Sequence, residues 1–235
     1  MEKAKIADGI YIVDLALYLE REDALVFADF HLGYEESLTS RGIFVPRFQY
    51  KDTSDRVGKI LEFFGKVKKI IITGDLKHEF GRITKQEWTD VIDLLDFMSA
   101  YADEVILIKG NHDVVTKAVL DKTDAKMVDK VVLGEIGIVH GDKEVELGTK
   151  MIIMGHEHPA VSLSDGVHTE RFKCFIKGRS KGKEIIVLPS FNLLSEGADI
   201  LQERRLSPYL DDLSNFEVWT VEEKVRYFGK VRDLR

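Results

Sequence analysis

A single cysteine, Cys174, stands among 235 residues, so no disulfide can close within the chain. That poverty suits a reducing cytoplasm, and the thiol reads as a small buried hydrophobe rather than a nucleophile. Asn and Gln together number six, against abundant Lys, Glu and Ile, a balance that leans toward a thermophile. No apolar run approaches the roughly 20 residues that a membrane helix needs, and the opening Met1-Glu2-Lys3-Ala4-Lys5 lacks the apolar core of a signal peptide. Positive charge is in deficit as well. The formal net charge of −7 argues against general coating of nucleic acid, though it allows a local basic groove. Linkers, internal repeats and low-complexity tracts are missing, so a single globular domain over residues 1–235 is expected.

What is present centres on Lys109-Gly110-Asn111-His112-Asp113, which follows the apolar run Val105-Ile106-Leu107-Ile108. Ligand-capable side chains arrive where a buried strand should end, and in α/β proteins that is where ligands bind. Alone, these residues could form an ordinary turn. The design recurs, however. Ala24–Ala28 runs into Asp29-Phe30-His31, and Lys69–Thr73 into Gly74-Asp75-Leu76-Lys77-His78. Ile136–Val139 runs into His140-Gly141-Asp142, and Met151–Met154 into Gly155-His156-Glu157-His158. Strand ends lying side by side would collect carboxylate, amide and imidazole groups in one crevice, a metal-site constellation rather than a core.

Around these stretches the early part of the chain predicts strands at Ile10–Val13, Ala16–Leu19 and Leu25–Phe27, joined by short polar breaks. A helix is expected over about 54–64, and a second is opened by the capping-box pair Thr84 and Glu87. Its stripe of Trp88, Val91, Ile92, Leu95 and Met98 reads as core. After His112 short strands follow one another with little helix between them: Val128–Leu133, Ile136–Val139, Met151–Met154, Val161–Leu163, Phe172–Ile176 and Glu184–Leu188. Helices early and strands late suggest two packed sheets with helices outside. Residues 202–235 carry two further strand-like runs and no motif, and they read as a structural extension covering the sheet.

The ordered blocks Asp-x-His, Gly-Asp, Gly-Asn-His-Asp, a lone His and Gly-His-x-His resemble the calcineurin-like metallophosphoesterases over roughly residues 24 to 160. More narrowly, Asp29–Glu35, Gly74–His78 and Gly155–Ala160 look like archaeal phosphoesterases related to the SbcD DNA-repair nucleases. The resemblance implies a four-layer α/β/β/α sandwich with two mixed sheets. It implies that Asp29, His31, Asp75 and His158 hold one divalent metal, and that Asp75, Asn111, His140 and His156 hold a second. Manganese is the family-based expectation; iron, zinc and nickel also suit imidazole, carboxylate and amide donors without thiolate. Such a pair would ready a bridging hydroxide for in-line attack on a phosphoester, DNA and RNA among the candidate substrates. His112 would then serve as the acid for the leaving oxygen. Asp113 would orient that imidazole or cap the following helix.

Two positions are open between substrate contact and plain surface. His78 falls three residues after the expected bridging carboxylate, and Arg47 follows Pro46 in the loop after the first motif. The segment from Arg171 to Lys183 is the most basic of the chain and reads either as a guarded edge hairpin or as a grip for a polyanion. The metal site fits a phosphodiesterase or nuclease, and equally a phosphomonoesterase or nucleotide-pyrophosphate hydrolase. A non-catalytic interaction protein on this fold would be expected to have lost ligands or the catalytic histidine. Every such position is present here.

Overall fold

Short apolar runs separated by polar turns open the chain as a meander. Strands β1 (Ala4–Ala7), β2 (Ile10–Val13), β3 (Ala16–Leu19) and β4 (Ala24–Phe27) pair antiparallel in sequence order. Helices α1 (Tyr34–Ser40) and α2 (Gln49–Phe64) then carry the chain to β5 (Val67–Ile72), which lies parallel to β4. Helix α3 (Lys85–Ser99) leads to β6 (Ala102–Ile108), parallel to β5, and the short α4 (Lys117–Leu120) leads to β7 (Lys126–Val128). These seven strands form one sheet in chain order. The computed structural model describes residues 1–44, 48–78, 84–113, 116–164 and 166–234.

The second sheet holds β8 (Val131–Leu133), β9 (Ile136–Val139), β10 (Met151–Met154), β11 (Pro159–Ser164), β12 (Thr169–Ser180), β13 (Lys183–Val187) and β14 (Ala198–Asp199), with β15 (Glu217–Val221) and β16 (Val225–Lys230) added beside β12. Its middle strands, β9, β10 and β13, run parallel. These strands and the adjoining part of β12 are buried on both faces, and their side chains divide by alternation. Ile138, Ile153, Phe175 and Ile186 join the core between the sheets, while Val139, Ile152, Met154, Cys174 and Ile185 enter a second core on the far side. Helices α2 and α3 cover the outside of the first sheet through Val57, Ile60, Leu61, Val91, Leu94, Leu95 and Met98. The outside of the second is covered by an irregular stretch contributing Ile200, Tyr209, Leu210, Leu213 and Phe216. The fold is the sandwich of two mixed sheets expected from the sequence, with helices outside the first sheet and an irregular layer in place of the second helical one.

The capping box at α3 forms as expected. The Glu87 N–H donates to Thr84 Oγ1 at 3.1 Å, and the Thr84 N–H donates to Glu87 Oε2 at 2.8 Å. Elsewhere the structure corrects the strand pattern. The run Val128–Leu133 is not one strand. It breaks at Asp129-Lys130, and its halves, β7 and β8, belong to different sheets, so this polar pair is the crossover.

The parallel strands of each sheet set their carboxyl ends along one edge, and the two edges meet. The Phe191 N–H donates to the Ala28 carbonyl at 2.8 Å, and the Asn192 N–H to the Asp29 carbonyl at 3.2 Å. The exit of β13 is thereby joined to the exit of β4. Among the described residues no helix is long and apolar enough to cross a membrane.

Candidate metal centre

Beyond the last residues of β4 and β5 the chain continues as a matched pair of loops. The His31 N–H donates to the Asp75 carbonyl at 2.9 Å, and the Leu32 N–H to the Leu76 carbonyl at 3.0 Å. Asp29, His31, Asp75, His156 and His158 all have left-handed backbones, with φ between 46° and 65°. Non-glycine residues keep that conformation only where the surroundings over-determine it. It turns their side chains off the strand line into a common crevice. Two motif glycines leave the room. A Cβ on Gly110 would lie 2.2 Å from Asp75 Oδ1, and one on Gly155 would lie 2.4 Å from Asp29 Oδ2.

Among the described residues three donor groups converge on the crevice, Asp29 with His31 and His158, Asp75 with His140 and His156, and His31 with His78 and His112. In the first, His158 Nε2 lies 3.4 Å from Asp29 Oδ2 and 3.3 Å from His31 Nε2. In the second, His140 Nε2 lies 3.4 Å from Asp75 Oδ2 and 2.9 Å from Asn111 Oδ1. Asp75 Oδ2 also comes within 3.8 Å of His31 Nε2, so it faces both groups. Donor atoms that share one cation at about 2.0–2.2 Å stand roughly 3.0–3.5 Å apart, which these spacings match. Asp29 is fully buried, and its Oδ1 has no hydrogen-bond partner. A buried orphan carboxylate oxygen is costly unless a cation takes it. The donor set fits two divalent cations.

Neighbouring backbone fixes the imidazoles. His140 Nδ1–H donates to the Thr73 carbonyl at 2.7 Å, which directs Nε2 at Asp75. In the metal-free centre burial lowers the His140 pKa, but the hydrogen bond to Asp75 and the charges of Asp29 and Asp75 outweigh it and lift the group to about 9. Burial, with repulsion from His158, pushes His31 down to about 3. A proton on His140 therefore stands in for a cation at neutral pH. Cation binding at this group is expected to release about one proton, and affinity should rise about tenfold per pH unit up to about pH 9 and then level off. Calorimetric titration in buffers of different ionisation enthalpy measures the released proton. Identical heats in all buffers would contradict the assignment.

His112 and His78 complete the rim. The His112 N–H donates to Asp75 Oδ1 at 2.9 Å, its Nδ1–H points to the His78 carbonyl, and its Nε2 lies 3.9 Å from Asp75 Oδ2. The His78 ring sits 5.4 Å from that of His31, 5.6 Å from that of His112 and 4.6 Å from that of Tyr34, so it belongs to the crevice rather than to a remote surface loop. Asp113 requires a correction. Its carboxylate accepts from the backbone N–H groups of Gly110 (3.0 Å) and Leu76 (3.2 Å) and from Thr116 Oγ1 (3.1 Å). The partner that orients His112 is the His78 carbonyl, while Asp113 is turned inward to hold the two loops together. Arg47 lies outside the described residues.

The basic segment also reads differently in place. Its turn at Lys181-Gly182 precedes β13, whose carboxyl end is the one at the crevice, so the turn lies at the opposite pole. Lys177 pairs with Glu184, and Lys181 with Glu144. β12 is no edge either, because β13 and β15 flank it. Sequence reading missed Ser190 and Asn192, which touch the Asp29 carbonyl. A signal existed. The run Glu184–Leu188 leads into Pro189-Ser190-Phe191-Asn192, whose serine and asparagine follow an apolar run as the polar residues of the other strand ends do.

Two facing sheets with a histidine–carboxylate crevice at their joined carboxyl ends define a class, the α/β sandwich proteins built to hold a pair of divalent cations. The chain belongs to the calcineurin-like phosphoesterase family, whose model matches residues 24–212. It is a metal-dependent phosphoester hydrolase. No curated protein matches the chain significantly. Among solved structures it is similar to the nuclease MPE of Pseudomonas putida, with 22% identity and a TM-score of 0.70 over 97% of this chain and 99% of that one. A fainter likeness links it to the phosphoesterase YfcE of E. coli, with 15% identity and a TM-score of 0.37 over 78% of this chain and 88% of that one.

Proposed function

We propose that the chain is a phosphodiesterase, acting on DNA or RNA, with two manganese ions at the crevice. The observation that carries the reading is the convergence of Asp29, His31, Asp75, His140, His156 and His158 into two donor groups sharing Asp75. In this reading Asp29, His31, Asp75 and His158 hold one ion, and Asp75, Asn111, His140 and His156 the other. These residues would hold divalent cations that would acidify a bound water and neutralise charge on the phosphoryl oxygens. His112, with Nδ1–H engaged by a carbonyl, can give up a proton only from Nε2, and in its charged form it protonates the leaving oxygen. His78 and Arg47 are the candidate contacts to the substrate phosphate. Residues 1–235 are taken as one domain, with 202–235 as a structural extension, since β15 is built into the sheet beside β12. The lone buried cysteine is in keeping with a cytoplasmic setting.

The name of the Pseudomonas nuclease favours nucleic acid as substrate, while a monoester or a nucleotide pyrophosphate would use the same centre. Purified protein loaded in turn with manganese, iron, zinc or nickel is to be tested on a nitrophenyl diester, a monoester, cyclic nucleotides, DNA and RNA. Cleavage of diesters and nucleic acid, strongest with manganese, is expected; turnover of the monoester alone would overturn the reading. Replacing Lys177, Arg179 and Lys181 together with alanine should leave the Michaelis constant for nucleic acid and its salt dependence unchanged, because the turn lies away from the crevice. A several-fold rise in that constant would show that the substrate reaches the far pole.

A further inference from the structure

Lys173 lies on β12, and its ammonium faces inward. It donates to the Ser190 carbonyl at 2.7 Å and the Asn192 carbonyl at 2.8 Å. Burial, with the nearby Arg56 guanidinium, pulls its pKa down to about 7, against the opposing pull of the Asp29 charge. The segment it grips is the one that touches the first donor group. Ser190 Oγ–H donates to the Asp29 carbonyl at 2.8 Å, and the Asn192 N–H donates to the same oxygen at 3.2 Å. Asn192 Oδ1 accepts from Gln49 Nε2 at 3.0 Å, and the same Gln49 amide donates to the His31 carbonyl at 3.0 Å.

Asp29 and His31 are both left-handed residues, with φ of 53° and 46°, and the bonds to their carbonyls are what hold that geometry. We propose that Lys173 is a positioning residue for the Asp29–His31–His158 half of the centre, acting through Ser190, Asn192 and Gln49. In the other half the His140 ring is held by the Thr73 carbonyl. Asp29 reaches that half only through its carboxylate, which accepts from the His156 N–H at 2.8 Å and lies 3.6 Å from His140 Nδ1, so the first half should respond more strongly than the second. The inference rests on the crevice being a two-cation centre.

The test is calorimetric titration of the metal-free protein with Mn²⁺. Wild type should show two binding events, and His158→Ala should mark which of them belongs to the first half. Lys173→Met keeps the bulk of the side chain and removes its donors. It should weaken that same event by about 10- to 100-fold and the other event by clearly less, so that the ratio of the two affinities changes. Ser190→Ala, which removes the hydroxyl on Asp29 without emptying the lysine site, should weaken the same event and decides the matter if Lys173→Met does not fold. A lysine that served only general stability would lower the melting temperature and leave the ratio of the two affinities as in wild type. Two wild-type events with that ratio preserved in both variants would overturn the inference and leave the two-cation reading standing. Fewer than two events in wild type would overturn that reading and take the inference with it.

Discussion

Asp75→Asn is expected to abolish the dinuclear centre while the fold survives. Asp75 Oδ2 faces His31 Nε2 at 3.8 Å and His140 Nε2 at 3.4 Å, so a single carboxylate oxygen is placed to serve both donor groups. Asparagine keeps the shape and can still accept the His112 N–H that Asp75 Oδ1 accepts at 2.9 Å. It lacks the negative charge and the second anionic oxygen, without which two adjacent cations repel. Loss of charge stabilisation worth several kcal/mol corresponds to a fall in turnover of about 10³-fold or more. Elemental analysis should find one metal or fewer per chain. The same change should also drop the His140 pKa from about 9, because the Asp75 hydrogen bond and charge are prominent among the causes of the lift. Full metal content, two ions per chain, would remove Asp75 from the role of bridge.

His112→Ala separates binding from chemistry. The imidazole stands beside the donor groups, with its Nε2 3.9 Å from Asp75 Oδ2 and its other nitrogen occupied by the His78 carbonyl. Removing it should leave both metals bound and lower turnover by about 10²–10⁴, the usual worth of a positioned general acid. The loss should shrink for nitrophenyl esters, whose leaving group departs without a proton, and stay large for alkyl or nucleotide leaving groups. Equal losses across both classes would assign His112 to charge stabilisation and not to proton transfer. His78→Ala makes a useful companion, since it removes a crevice imidazole but keeps the backbone carbonyl that orients His112.

Much of this centre was legible in the sequence because strand ends are local features. An apolar run followed by Asp, Asn or His is visible one stretch at a time, and that pattern brings Asp29, His31, Asp75, Asn111, His140, His156 and His158 into view, although choosing them as ligands from among their neighbours rests on the family resemblance. The Thr84–Glu87 capping box is equally local, and it forms as read. The left-handed backbones of Asp29, His31, Asp75, His156 and His158 were not legible, since aspartate and histidine, though enriched in that region, signal it far more weakly than glycine does.

By itself, then, the sequence determined that ligand-capable residues stand at the ends of buried strands, since hydrophobic pattern and residue type suffice for that, while the roles assigned to each are what the family resemblance implies. Only the tertiary structure decided who their neighbours are. Val128–Leu133 reads as one strand until β7 and β8 are seen to enter different sheets. Asp113 sits next to His112 in the chain, yet its carboxylate turns to the Gly110 and Leu76 amides, and the carbonyl of His78 takes the imidazole. The basic turn at Lys181 comes only a few residues before the end of β13, yet the strand carries it to the pole opposite the crevice. In each case the deciding contact joins segments far apart in sequence, and its existence depends on strand direction and register, which no local pattern encodes.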